Sequence, residues 1–210
     1  MAIAFGGESG RFQVVGATSL TYAFTTGGSD RQLRVGALTT AGTITGVTYN
    51  GSSATQIATT AADAGVTIYT HGLIAPTTGS NNVVVSTSAS AVIVSHAVYY
   101  TGTNQSTLSD ASGTQTGSGA FTHALSSSAD NCWHVLYCRN GVTNMTAGTA
   151  TTARSSTDDN MWFDSNAAKT PAGSVTLTIS SVTGSYGSII ESISPAGGGG
   201  ATTHFLSATG

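Results

Sequence analysis

The sequence predicts an all-β protein: a two-sheet antiparallel β-sandwich, jelly-roll or immunoglobulin-like, with a flexible C-terminal arm. Three observations carry this expectation. Thr, Ser and Gly fill 91 of the 210 positions (36, 28 and 27), a composition of strand and turn formers rather than helix formers. Apolar residues alternate with polar ones in many short runs, each closed by Gly, Asn, Asp or Pro. Helical periodicity is missing almost everywhere; Thr59–Ala64 alone has the composition for a single turn, and Gly65 ends it.

Alternation places the strands in order. Arg11–Val15 and Ser19–Thr25 come first and end at the turn Thr26-Gly-Gly-Ser-Asp30. Gln32–Leu38 and Ile44–Tyr49 follow. Asn50-Gly51 then signals a tight hairpin, because both central residues of a type I′ turn need positive φ. Thr55–Thr59, Thr67–Ile74, Asn82–Thr87 and Ala91–Tyr100 come next, with Pro76–Gly79 as a turn. Val83–Val85 and Val92–Val94 are continuous apolar runs, the pattern of central strands covered on both faces. The second half supplies Ala120–Leu125, Cys132–Arg139, Thr146–Ala153, Asn160–Asp164, Ser174–Ser180 and Ser188–Ile193. Asn140-Gly141 is a second hairpin signal, and Pro171–Gly173 and Gly184 mark turns. Residues 1–10 read as an N-terminal extension, 11–195 as the sandwich domain and 196–210 as a Gly-rich hinge and arm. In that arm, four glycines (197–200) precede His204, Phe205 and Leu206, the candidate contacts to a neighbouring subunit.

Charge narrows the function classes. Fifteen charged residues make 7% of the chain, where about 25% is usual. Six basic residues cannot form the stripe that neutralises several phosphates, so no nucleic-acid partner is expected. No apolar run reaches the ~20 residues of a membrane-spanning helix. Cys132 and Cys138, six apart in one expected strand, lie too far apart to form a disulfide and read as buried thiols acting as small hydrophobes. The start has no basic region followed by an apolar core, so no secretory signal is expected. A neutral, Thr-rich chain without leader or disulfides fits a component assembled in a host cytoplasm that works outside it, as virion proteins do.

A further guide is the order Ile44-Thr-Gly-Val-Thr-Tyr-Asn-Gly51, Gly72-Leu-Ile-Ala-Pro-Thr-Thr-Gly79, Val83-Val-Val and Ala97-Val-Tyr-Tyr-Thr-Gly102. Asp130-Asn-Cys-Trp133, the Thr-rich run 146–154, Pro171-Ala-Gly173 and Ile189–Pro195 continue it. This series resembles a family of β-sandwich domains frequent in tailed-phage virion proteins and bacterial surface proteins. The resemblance implies a non-enzymatic capsid-decoration (cement) or head-fibre component, with the major capsid protein and its own copies, expected as a trimer, for partners. It implies no catalytic residues.

The residues themselves suggest one candidate ligand or interface loop. Asp158, Asp159 and Asp164 gather around Trp162, with Tyr99 and Tyr100 as further aromatic groups. An exposed Trp among carboxylates suits sugar stacking or a protein hot spot, which would make the protein a glycan- or receptor-binding adhesin module. The carboxylate spacing matches no calcium loop, and solvated turns satisfied by local bonding explain it better. His71, His96, His123, His134 and His204 form no metal motif, and no nucleophile elbow or phosphate loop occurs. No catalytic residue, metal or cofactor is expected.

Overall fold

The computed structural model describes residues 1–63, 65–141, 145–155, 159–180 and 183–197. Among these there is no helix; fifteen strands form three sheets, with every pairing antiparallel. Sheet one contains β1 (Ala4–Thr26), β2 (Gln32–Thr39), β3 (Ile44–Tyr49), β4 (Ser52–Ser53), β5 (Thr55–Ala61), β6 (Thr67–Ile74) and β7 (Gly79–Thr101). Its strand order is β4-β3-β7-β2-β6-β5, with β1 along the other side of β7. Sheet two is ordered β12-β13-β10-β15-β8. These strands are β8 (Ala111–Ser118), β10 (Trp133–Asn140), β12 (Thr152–Ala153), β13 (Asn160–Asp164) and β15 (Ser185–Ile193). Sheet three is small: β11 (Thr146–Ala147), β14 (Ser174–Ser180) and β9 (Phe121–Ser126).

Three apolar cores explain the layering. Sheet one bends on itself, so that Leu20, Tyr22 and Phe24 of β1 meet Leu33, Val35, Ile93 and Ala97. The Tyr22 hydroxyl reaches Ser95 Oγ at 2.9 Å across this fold. The other face of β2 and β7 packs on sheet two through Leu38, Val94, Val98, Tyr100, Trp133, Val135, Tyr137 and Trp162. Sheet two's far face, with Leu136, Met161, Phe163 and Ile190, meets Phe121, Leu177 and Ile179 of sheet three. The sandwich is therefore antiparallel and all-β as expected, with a third sheet added to the two anticipated.

Several boundaries differ from the sequence expectation. Arg11–Val15 and Ser19–Thr25 are parts of one strand, and residues 4–10, expected as an extension, begin it. Register shifts, two of them beside glycines at positive φ (Gly10 and Gly16), let that strand bend without ending. Asn82–Thr87 and Ala91–Tyr100 likewise join as β7, which takes the central place that its apolar runs suggested. Thr59–Ala61 lies in β5, not in a helical turn; pairing with β6 overrides the local alanines. Asn50 and Gly51 both have positive φ, at 49° and 76°, and close the β3–β4 hairpin. Asn140-Gly141 does not make a second one: buried Asn140 remains in β10 opposite Tyr186. Thr146–Ala153 is split into β11 and β12 around Ala150 at φ 57°. Strand β8, with only Ala111 for apolar content, carried no alternation signal and was not anticipated.

All eight residues of β2 are buried, because both its faces are covered. Gly36 is required there: a Cβ would lie 2.4 Å from the Tyr137 ring of sheet two. Arg34, fully buried, donates from Nε to Glu191 Oε2 of β15 at 2.7 Å. Its other nitrogens bond Gln32 Oε1 and the carbonyls of Leu33 and Leu108. Ser109 Oγ donates to the same Glu191 oxygen at 3.1 Å.

A buried ion pair costs much desolvation, so its value lies in never being half-broken. Arg34→Met is expected to destabilise the chain by about 3–5 kcal/mol through the stranded Glu191 carboxylate. The double variant Arg34→Met/Glu191→Leu is expected to recover most of that loss. Urea unfolding of the three chains checks it; a double variant no better than the single would refute the account.

Candidate functional site

The sequence-predicted residues fall in very different places. Asp164 is the last residue of β13 and is fully buried. Its Oδ2 accepts from Arg154 Nε at 2.6 Å and from the Tyr100 hydroxyl at 3.0 Å. Its Oδ1 accepts from Arg154 Nη2 at 2.9 Å and from the Asn166 amide at 2.8 Å. Four donors thus fill the carboxylate's acceptor sites, leaving none for a metal ion or a substrate proton. Tyr100, from β7, is also fully buried, and burial together with the Asp164 charge pushes its hydroxyl well above the usual phenol range.

Trp162 is the largest fully buried side chain described. Its Nε1 donates to the His96 carbonyl at 2.9 Å, and its ring lies against Tyr137 at 5.0 Å between centroids. The expected exposed ligand loop is therefore not formed by these residues. Tyr100, Trp162 and Asp164 are instead core stitches between sheets one and two. The sequence placed Trp162 between Asp and Asn and so suggested exposure. In the strand the neighbours Met161 and Phe163 face sheet three while Trp162 faces sheet one, and all are buried.

Asp159 stands apart from Asp164, at the rim where Arg139 and Arg11 reach it. Arg139 also bonds Asp63 Oδ2 at 3.3 Å, so this group joins the loop after β5 to β10. Tyr99 is half-buried, its ring edge-on to Phe24 at 5.9 Å. Asp158, His204, Phe205 and Leu206 lie outside the described residues.

What the structure brings together, and the sequence did not announce, is a pole where distant segments meet. The Met1 amine donates to the Ala196 carbonyl at 3.3 Å, and the Ala196 amide to the Gly102 carbonyl at 2.8 Å. The Gly102 amide in turn reaches the Ser29 carbonyl. A cleft of about 400 Å³ opens here, lined by Met1, Ile3, Trp133, Ala168, Pro195 and Gly197 among others. Below it, Phe5, Tyr100 and Trp133 pack edge to face, and the Arg154 guanidinium lies 4.4 Å from the Phe5 ring centroid. The guanidinium is already committed to Asp164 and Asn166. Arg154 therefore brings no free charge to the cleft, whose walls offer shape and apolar contact beside the Met1 ammonium.

No group of three metal-ligating side chains occurs among the described residues. Cys132 and Cys138 are free and buried; burial raises the first thiol to about 11 and the second further, so neither is a ready thiolate. His123 Nδ1 lies 2.9 Å from Ser188 Oγ inside the sheet two–sheet three core, with no carboxylate orienting it in the described contacts. No family model, no curated protein and no solved structure matches the chain.

Burial lowers the pKa of His71, His123 and His134 to about 4 each. The folded chain keeps them neutral, while the unfolded chain protonates them near pH 6.5. Their neutral state therefore costs nothing above pH 6.5 and destabilises the fold progressively as pH falls from there toward 4. With three protons involved, the slope is up to roughly 4 kcal/mol per pH unit. The urea midpoint is expected to hold steady from pH 8 to 7 and to drop between pH 6.5 and 5; a flat profile to pH 5 would refute it. Trp162→Ala is expected to cost about 3–5 kcal/mol of stability, measured the same way, because the ring fills the core.

Proposed function

We propose that the protein is a non-enzymatic structural component of a virion, a capsid-decoration or head-fibre protein that binds the capsid and its own copies as a trimer. One observation carries the reading. The Asp, Glu, Arg and Tyr groups brought together at Asp164 and Glu191 are tied into buried stitches, whereas many outward strand positions carry small neutral side chains. On sheet three, for example, Thr122, Ala124, Ser126, Ser174 and Thr176 are all exposed. Such a surface favours packing beside like surfaces through shape and backbone rather than through charge. Stacked cores linked by buried ion pairs suit a part that bears load without moving. The low overall charge and the resemblance of the strand and turn series to phage sandwich domains point the same way.

The test has two arms. Capsid or tail genes are expected beside this one, and the purified protein is expected to bind shells of the neighbouring capsid product. Because few exposed charges are available to screen, its self-association constant is expected to change by less than about threefold between 50 and 500 mM salt. Sedimentation across that range checks it. A chain that stays monomeric and ignores such shells would overturn the reading, and a steep salt dependence would remove its physical basis.

A further inference from the structure

Strand β1 has an open edge, and its two halves are unlike. Among the described residues β7 is the strand paired with it. From Ala4 to Thr18 the edge is guarded. The pairing shifts register between Phe5 and Gly7, between Glu8 and Arg11 and on both sides of Ala17, and Glu8 and Arg11 supply charge. Bulges and charges are the usual devices that stop an edge from recruiting another strand. From Ser19 to Thr26 every guard is gone. Eight residues pair with Gly79–Ser86 in unbroken register. They carry no charge, Pro or Gly, and they alternate cleanly between exposed (Ser19, Thr21, Ala23, Thr25) and buried (Leu20, Tyr22, Phe24, Thr26). Strand formers in this arrangement make a template for one more strand.

The chain itself carries a matching piece. After the four glycines 197–200 comes Ala201-Thr-Thr-His-Phe-Leu-Ser-Ala208, eight residues without Asp, Glu, Lys, Arg, Pro or Gly. Its starting point is fixed, because Gly197 sits at the pole described above. There the Ala196 amide bonds Gly102, Gly102 bonds Ser29, and Ser29 follows Thr26 by three residues. Four residues of extended chain span up to about 14 Å, enough to carry residue 201 toward the Thr26 end of the edge. Polarity also agrees. β1 starts at the pole, and its Ser19–Thr26 half runs back toward it, so a strand laid along this edge from Gly197 outward would be antiparallel. A tether this short gives an effective concentration on the order of millimolar, which favours the chain's own tail over a strand from solution.

We propose that residues 201–208 of the same chain add to the Ser19–Thr26 edge as an antiparallel strand. The added strand satisfies the outward amides and carbonyls of β1. It also places Phe205 or Leu206 over the apolar face that Leu20 and Tyr22 contribute to. The inference does not depend on the virion setting proposed above.

Amide hydrogen exchange tests it on three chains: the full protein, the chain ending at Gly197, and Phe205→Pro, in which proline removes a ladder donor. The outward-facing amides of residues 19–26 are expected to exchange about tenfold more slowly in the full protein than in the other two, independently of protein concentration. The amides bonded to β7 are expected to be alike in all three, which shows that the fold is intact. Equal rates at the outward amides would overturn the proposal. Protection that disappears on dilution would overturn it too, by assigning the edge to a strand from a second copy.

Discussion

The buried seam between sheets one and two is the constraint on which the remaining structure depends. It is apolar over most of its area, but Gln32 and Arg34 stand in the first half of a strand buried on both faces. A guanidinium in that position must find every acceptor it needs, since an uncompensated buried charge costs several kcal/mol. Glu191 supplies the countercharge, Gln32 Oε1 and the Leu33 carbonyl accept within β2, and the segment between β7 and β8 supplies the last acceptor and holds Gln32 in turn. Gln32 Nε2 donates to the carbonyls of Asn104 and Thr107, and Arg34 to that of Leu108. The crossover from sheet one to sheet two thus takes its path because two buried side chains require its backbone oxygens. Its Asn104 side chain caps the turn in return, accepting from the amides of Ser106 and Thr107.

Apolar faces alone would let the two sheets slide, because burial is non-directional. Three directional contacts at separated points remove that freedom. Arg34 meets Glu191 at one, Asp164 meets Tyr100 at another, and Trp162 Nε1 meets the His96 carbonyl at the third. The Tyr137 ring seated over Gly36 adds a steric peg, since any larger residue at 36 would hold the layers apart. Buried polar groups of this kind act on alignment more than on net stability, which is where a rigid sandwich has use for them.

Strand class and most strand positions were legible in the sequence because period-two alternation and Gly or Asn turns are local signals. The Asn50-Gly51 hairpin is the clearest case. Joined strands were not legible: nothing local tells that the chain from Arg11 to Thr25 bends at glycines rather than turning back, since only pairing with β7 decides it. β8 was invisible because Thr and Gln along Thr114–Thr116 give no apolar face of their own. The candidate site misled for a related reason. Trp162, Asp164 and Tyr100 are the residue types of a binding loop and equally those of a satisfied core, and the distinction rests on Arg154 and Asn166 arriving to saturate Asp164. A signal did exist: Met161 and Phe163 flanking Trp162 make a run apolar on both faces, the mark of a strand covered twice.

The scarcity of charge takes on a different meaning once its location is known. Of the fifteen charged residues, Arg34, Glu191 and Asp164 are fully buried, and Arg139, Arg154, Asp63 and Asp159 keep only 13 to 19% of their side chains exposed. Glu8 is paired with buried His96, whose hydrogen bond holds its carboxyl below the usual range. About half of the charges thus serve internal alignment, and the surface keeps only a sparse remainder, among them Asp30, Arg31, Asp110, Asp130 and Lys169. A surface this sparse in charge has little of the commonest defence against edge-to-edge pairing, so beyond Glu8 and Arg11 the defence must come from backbone shape. Gly10 and Gly16, both at positive φ, provide it along the first half of β1. Where the bulges stop, at Ser19, the edge is straight and uncharged through Thr26, and that combination of regular register and missing charge is what makes it receptive to one more strand.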